Sequence, residues 1–225
     1  MTSDPATPSA PRRLRTPRSA AIAGIIFAVL LGLSMALIQA TYSESNRYDP
    51  SWLTESTWTI SVAVALVPFA GVAFLWFMGV IRDHFGDAED RFFATVFLGS
   101  GYLLLASMFV WIALLGSAVA TASVAPEWAN GDSYLFASSM IHIVGTTILL
   151  RMAGVFVFST SAIWVRTGIM PRWIGILSIG MGLVMFLAGG QIRLVRFIFP
   201  AWVLFVSVII LIAVRRRSAD GGTSS

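Results

Sequence analysis

FATVFLGSGYLLLASMFVWIALLGSAVATA, residues 93–122, holds no charged side chain and no proline. About 20 apolar residues suffice to cross ~30 Å of hydrocarbon, and this run is longer. In hydrocarbon every backbone N–H and C=O needs a partner within the chain, so the run is predicted to be a membrane-spanning helix. The same reasoning extends outward to five more apolar runs, at residues 20–41, 58–81, 135–164, 173–188 and 197–214. The runs at 93–122 and 135–164 are long enough to tilt or to project beyond the bilayer. Residues 1–19 form a basic, proline-bearing tail, read as disordered, and residues 215–225 a second tail. The first run is read as a retained helix rather than a signal peptide, whose core is usually ~7–15 residues.

Composition agrees with a lipid-solvated chain. Hydrophobic residues make up 57%, charged residues 12%, and mean hydropathy is +0.82. A soluble domain with so few polar side chains could not cover its surface. The absence of cysteine excludes disulfides, thiolate metal sites and thiol nucleophiles. The basic pI near 10.3 does not point to nucleic acid, because most of the arginines flank apolar runs, where they orient a protein in a bilayer.

With the N-terminus in the cytoplasm, Arg12, Arg13, Arg15, Arg18, Arg82, Arg91, Arg166, Arg172, Arg215, Arg216 and Arg217 all fall on the cytoplasmic side. Only Arg47, Arg193 and Arg196 fall outside. This asymmetry obeys the positive-inside rule and, with six spans, places both termini in the cytoplasm. Trp52, Trp58, Trp128, Trp164 and Trp173 lie near span ends, as an interfacial aromatic belt requires.

Helix packing is foreshadowed in the first run, where Ala20, Gly24, Ala28, Gly32, Ala36 and Ala40 recur every fourth position. Such a shallow stripe lets helices approach closely, within the chain or between two copies. Gly175, Ser178, Gly180 and Gly182 thin the fifth span, and Pro68 is expected to kink the second.

Few residues carry chemistry. Asp83, His84, Asp87, Glu89 and Asp90 crowd one cytoplasmic link, where Asp87 is expected to cap the next helix rather than to join a metal site. Ser100 and His142 evoke an intramembrane Ser/His dyad. However, Leu98 stands where such proteases need glycine, and the hairpin register displaces the pair by roughly 20 Å. His142 is read as a neutral imidazole among Ser138, Ser139, Gly145 and Thr146, with a proton-linked role as the alternative.

Arg151 sits near the centre of its run, level with Ala106 and Ser107, and no Asp or Glu occurs in any span to pair with it. An arginine at the bilayer centre costs ~2.5–3.5 kcal/mol on insertion scales, so it needs carbonyls, neutral partners such as Ser107, Thr147 or Gln39, or an external anion. Arg193 and Arg196, three residues apart on a short outer loop, extend the last option to a cationic path for an anionic headgroup, phosphate or carboxylate. The competing reading is a structural arginine held by carbonyls.

Two segments, RDHFGDAEDRFFATVFLGSG (82–101) and RTGIMPRWIGILSIGMG (166–182), resemble uncharacterised bacterial, chiefly actinobacterial, integral-membrane proteins. Arg166, Pro171, Arg172 and Trp173 are similar to the short Arg–Pro–Arg–Trp link before a late helix in those proteins. The resemblance implies a polytopic fold and a plasma-membrane location and carries no activity.

The sequence therefore predicts an all-α, six-transmembrane-helix bundle over residues 20–214, without cofactor, metal or catalytic residue. The expected role is a structural or accessory membrane protein in contact with membrane lipids, as a homo-oligomer or beside another membrane protein. The alternative is a small transporter or lipid- or anion-binding protein using Arg151, with an intramembrane enzyme as a remote third. Its candidate residues are Arg151, Arg193 and Arg196 for an anion, and His142, Ser107 and Thr147 as polar intramembrane groups. Gly24, Ala28, Gly32 and Ala36 are the packing positions.

Overall fold

The computed structural model describes residues 16–42, 51–85, 91–168, 170–188 and 194–220. Arg193, the cap Asp87 with Glu89 and Asp90, and the tail arginines Arg12, Arg13 and Arg15 lie outside the described residues. The chain forms α1 (Thr16–Thr41), α2 (Ser51–Glu55), α3 (Thr57–Phe85) and α4 (Arg91–Val124). A 3₁₀ turn at Pro126–Asn130 leads to α5 (Asp132–Ile143), a π-helical turn at Val144–Ile148 and α6 (Leu149–Thr167), which run on as one apolar helix. The chain ends with α7 (Arg172–Ala188) and α8 (Val195–Asp220). No strand occurs among the described residues.

Five of these helices are long and apolar enough to cross a membrane. The sixth apolar helix, α7, has 17 residues and is shorter, about 25 Å at 1.5 Å per residue. Large apolar side chains such as Phe69, Trp76, Leu103 and Leu187 are exposed on the bundle perimeter. A surface of this kind is stable against lipid and aggregation-prone in water. The chain has the build of a multi-pass membrane protein.

The long helices pack in a closed ring, α8–α1–α3–α4–α6–α7 and back to α8. Its centre is aromatic. Phe74 lies 4.9 Å from Phe27 and 5.2 Å from Phe156, ring centre to ring centre, so α1, α3 and α6 meet there. Phe199 of α8 joins them at 5.8 Å from Phe74, and Trp202 stacks on Trp164 at 5.8 Å. Trp164 thus belongs to the core, whereas Trp58 and Trp173 are exposed near helix ends as an interfacial belt asks. The reason is phase: Trp164 shares the inward face of α6 with Val157 and Phe156, all buried.

The small-residue stripe of α1 divides in two. Ala20, Gly24 and Ala28 are buried; Ser207 of α8 and Phe77 of α3 crowd the space a side chain at Gly24 would fill. Gly32 is half-buried with open space above it, and Ala36 is exposed. Near the boundary Ser34 donates a buried 2.8 Å hydrogen bond to the Ala63 carbonyl of α3. Replacing Ser34 with alanine should lower stability by an amount in the range from about 0.6 kcal/mol, the mean for interhelical bonds in membranes, to about 1.7, their maximum, because the bond is buried, read by thermal unfolding in detergent. A loss below that range would mean that close packing alone holds α1 on α3.

Among the described glycines, the closest approach of backbone to backbone joins α6 to α7. A Cβ added at Gly154 would lie 2.7 Å from the carbonyl oxygen of Gly182, and one at Gly182 would lie 3.0 Å from that of Gly154. The link between these helices turns at Gly168, whose φ of +67° lies in the left-handed region that favours glycine. Its N–H closes the helix on the Trp164 carbonyl at 3.0 Å. The hydroxyls of Ser159, Thr160 and Ser161 bond back to carbonyls of their own helix, at 2.6–3.0 Å, which lets three polar residues sit in an apolar interior. Pro68 lies inside α3, which continues through it.

Candidate functional site

At the end of the bundle where α1 stops and α8 begins, the ring opens around a cavity of about 70 Å³. That is room for a few ordered waters or a small planar group. Its floor is apolar, formed by Met35 of α1, Leu115 of α4 and Leu149 of α6. Its mid-wall carries His142, Gly145 and Thr146, with Trp111 of α4 opposite. Its mouth carries Gln39, Tyr42, Trp52, Tyr134, Ser138 and Arg196.

Local structure explains each group's position. The short helix α2, between the first two apolar runs, brings Trp52 over the mouth and buries Leu53 at its edge. The Trp52 indole N–H donates to the Tyr134 hydroxyl at 3.2 Å, and Tyr42 meets Trp52 edge-on at 5.2 Å. Trp128 of the 3₁₀ turn packs edge-on against Tyr134 at 5.8 Å. An aromatic cluster with polar tips thus holds the rim, as suits a boundary between lipid and water.

The mid-wall is built by the π-helical turn. Here the Leu149 N–H bonds the Val144 carbonyl, one residue further back than in an α-helix. Thr146 bonds the His142 carbonyl through its hydroxyl at 2.7 Å. Gly145 lies so close to the Trp111 indole that any side chain there would displace the ring. One inserted residue also turns α6 by about 100° relative to α5. His142 and Arg151 are then roughly a quarter-turn apart rather than the half-turn an unbroken helix predicts.

The structure separates the arginines named from sequence. Arg196 is half-buried at the first turn of α8 and lines the cavity. Arg151 is half-buried on α6, about one turn from the Gly154–Gly182 crossing, and does not line it. Gln39, named as a neutral partner for Arg151, lines the cavity instead, and Ser107 bonds the Leu103 carbonyl of its own helix at 2.7 Å. Thr147 is half-buried within the π-turn and is not part of the lining.

Ser100 and His142 are not brought together. Ser100 bonds the Phe97 carbonyl at 3.1 Å, and Phe97 packs on Phe156 at 5.0 Å, well past the cavity floor. His142 shares the cavity with Leu115 instead. Among the described residues no three His, Asp or Glu side chains gather as a metal site would need. At the opposite end Arg166 lies over the Phe93 ring at 4.3 Å, a cation–π contact between α6 and α4.

Sequence reasoning named Arg196, Gln39, Ser138 and Trp52 separately, in other roles, and passed over Tyr42 and Tyr134, so it did not assemble the mouth. Trp52 and Tyr134 are ordinary interfacial aromatics by sequence, and Gln39 and Arg196 lie far apart along the chain. The faint signal was Gly145-Thr146-Thr147, a glycine beside two β-branched residues in mid-helix. No family model, curated protein or solved structure matches the chain.

Proposed function

We propose that the protein is a six-span plasma-membrane protein with both termini in the cytoplasm. In this reading it is an accessory protein that holds a small ligand at its outer face and conducts no solute. The observation that carries this reading is the floor of the cavity: below Leu115 and Leu149 the bundle axis is filled by Phe27, Phe74, Phe156, Phe199 and Trp202, all buried. A transporter needs its site to reach both sides in turn, through discontinuous or separable helices at mid-membrane. Here the mid-membrane layer is close-packed aromatic, and packing of that kind changes by discrete rearrangement rather than by gradual yielding. Arginine asymmetry supports the orientation, and α7, though short, supports a sixth span because its exposed face is as apolar as its neighbours'. For the first half of α1, the buried stripe supports a seam within the chain over one between copies.

The cysteine-free chain makes the test direct. Single cysteines at Thr54, Ser138, Ser100 and Arg215 are probed with a membrane-impermeant thiol reagent in intact cells and in inverted vesicles. Thr54→Cys and Ser138→Cys should react from outside only, Arg215→Cys from inside only, and Ser100→Cys from neither. Reaction at Ser100→Cys would reveal a water path past the aromatic layer and replace this reading with a conduit. Reaction of Arg215→Cys from outside would reverse the orientation.

A further inference from the structure

We propose that Arg151 holds the phosphate of an anionic phospholipid, seated on the outward face of α6 and α7 with an acyl chain along the apolar side chains below it. The inference rests on the multi-pass reading and does not depend on what the cavity holds.

The guanidinium has no other group to hold. Arg151 makes no hydrogen bond, ion pair or ring contact among the described residues. Ser107, expected at its level, is bonded to the Leu103 carbonyl. Helical phase turns Arg151 outward. It shares a stripe of α6 with Ile148, Val155 and Phe158, which are exposed or half-buried, while Leu150, Ala153 and Phe156 on the other side are buried. A charge on such a stripe needs its partner from outside the chain.

Depth selects the partner. Phe156 and Phe199 meet in the aromatic centre with their rings 6.1 Å apart. Arg151 precedes Phe156 by five residues, and Val195, where α8 begins, precedes Phe199 by four. Arg151 therefore stands about 8 Å along its helix from the centre, level with the start of α8. The last turn of α7 reaches the same level, since the Phe186 amide nitrogen would lie 3.0 Å from a Cβ at Gly154. Meanwhile α4 and α5 run several turns further. The bundle thus has a step beside Arg151.

A bilayer adapts to such a step by thinning. The 17 residues of α7 cover about 25 Å, short of the ~30 Å of hydrocarbon, so headgroups are drawn down beside it. The Arg151 side chain leans toward the N-terminal end of α6, which is the side of the step. Phosphate is the anion that this leaflet brings there, and arginine binds it through charge-assisted bonds. A net-anionic headgroup is preferred because it sets no ammonium against the guanidinium. Below the step, Phe158 of α6 with Leu183 and Phe186 of α7 are exposed and apolar, as an acyl chain requires.

The test is thermal unfolding of the purified protein in phospholipid-free, non-ionic detergent. Dioleoylphosphatidylglycerol, dioleoylphosphatidylcholine and dioleoylglycerol are added in turn. Phosphatidylglycerol should raise the melting temperature of the wild type by about 5 °C or more at saturation. Phosphatidylcholine should give a smaller shift and dioleoylglycerol the least. Arg151→Leu should lose the phosphatidylglycerol shift and Arg151→Lys should keep part of it. Without lipid, Arg151→Leu should melt no lower than the wild type, because no bond within the protein is lost.

Equal shifts with all three lipids, or an undiminished shift in Arg151→Leu, overturn phosphate recognition. Equal shifts with the two phospholipids alone overturn the preference for an anionic headgroup. A lower melting temperature of Arg151→Leu in detergent alone overturns the site and makes the guanidinium part of the packing. Stabilisation by a polyleucine helix with a central glutamate, and not by phosphatidylglycerol, overturns the lipid and assigns Arg151 to a protein partner. The cysteine labelling above leaves each of these outcomes unchanged, since a reversed orientation moves the lipid only to the other leaflet.

Discussion

Gly154→Val will separate α6 from α7 and lower stability by about 3 kcal/mol or more, the upper range for forced overpacking. The expectation rests on what a side chain would meet there. The Cβ alone would lie 2.7 Å from the Gly182 carbonyl oxygen and 3.0 Å from the Phe186 amide nitrogen. Both are backbone atoms of a continuous helix, so no rotamer change relieves the clash. Lipid supplies no hydrophobic drive between helices, and close approach of backbones is among the main attractions available. Gly182→Ala should show a smaller loss of the same kind. Gly180→Ala, two residues away with nothing within 4 Å of its added Cβ, should be silent or slightly stabilising because alanine favours the helix. Thermal unfolding in detergent, followed by circular dichroism, ranks the three. Equal behaviour of Gly180→Ala and Gly154→Val would show that α7 does not depend on this crossing.

Trp202→Ala should cost about 3–5 kcal/mol, the range for emptying a buried aromatic site. The ring is fully buried, stacks on Trp164 at 5.8 Å and on Phe199 at 6.4 Å, and meets Phe156 edge-on at 6.3 Å. Its indole N–H also donates to Ser178 of α7 at 2.9 Å. Trp202→Phe separates the two contributions by keeping most of the ring and losing the bond. It should cost about 1–2 kcal/mol, with part of that loss recovered in the double variant with Ser178→Ala, which removes the orphaned hydroxyl. A loss under about 1 kcal/mol for Trp202→Ala would mean that the ring of helices holds without its aromatic centre.

Both predictions concern contacts that sequence alone left unassigned, and the reason differs between them. Gly182 was legible as one of several small residues thinning a helix, but a small residue signals only that something approaches closely. Gly180 is equally small and faces open space, so the partner of each glycine is a property of the assembled bundle. Trp202 carried no distinguishing signal, because in an apolar span an inward and a lipid-facing tryptophan have the same neighbours in sequence. Trp164 makes the same point from the other side: its position near a span end placed it in the interfacial belt, and its helical phase put it in the core.

The candidate site was legible in pieces. His142 and Arg196 stood out because polar residues are rare near or within apolar runs, and Arg151 stood out more than either. The π-helical turn was not legible, and it changes which residues share a face. Periodicity arguments assume an unbroken 3.6-residue repeat, so one inserted residue shifts the predicted phase of everything after it.

What the sequence by itself determined is the solvent and the elements. Uncharged runs of membrane-spanning length admit only helices in hydrocarbon. What only the tertiary structure decided is which of the rare polar residues meet. Gln39, Trp52, Ser138, His142 and Arg196 come from four helices spread along the chain. Arg151, the most conspicuous charge in the sequence, is excluded from their cavity. The physical reason is that membrane helices associate through shape. The Gly154–Gly182 crossing and the aromatic centre set how each helix is rotated and how deep it sits, and those two quantities choose which side chains line a common space.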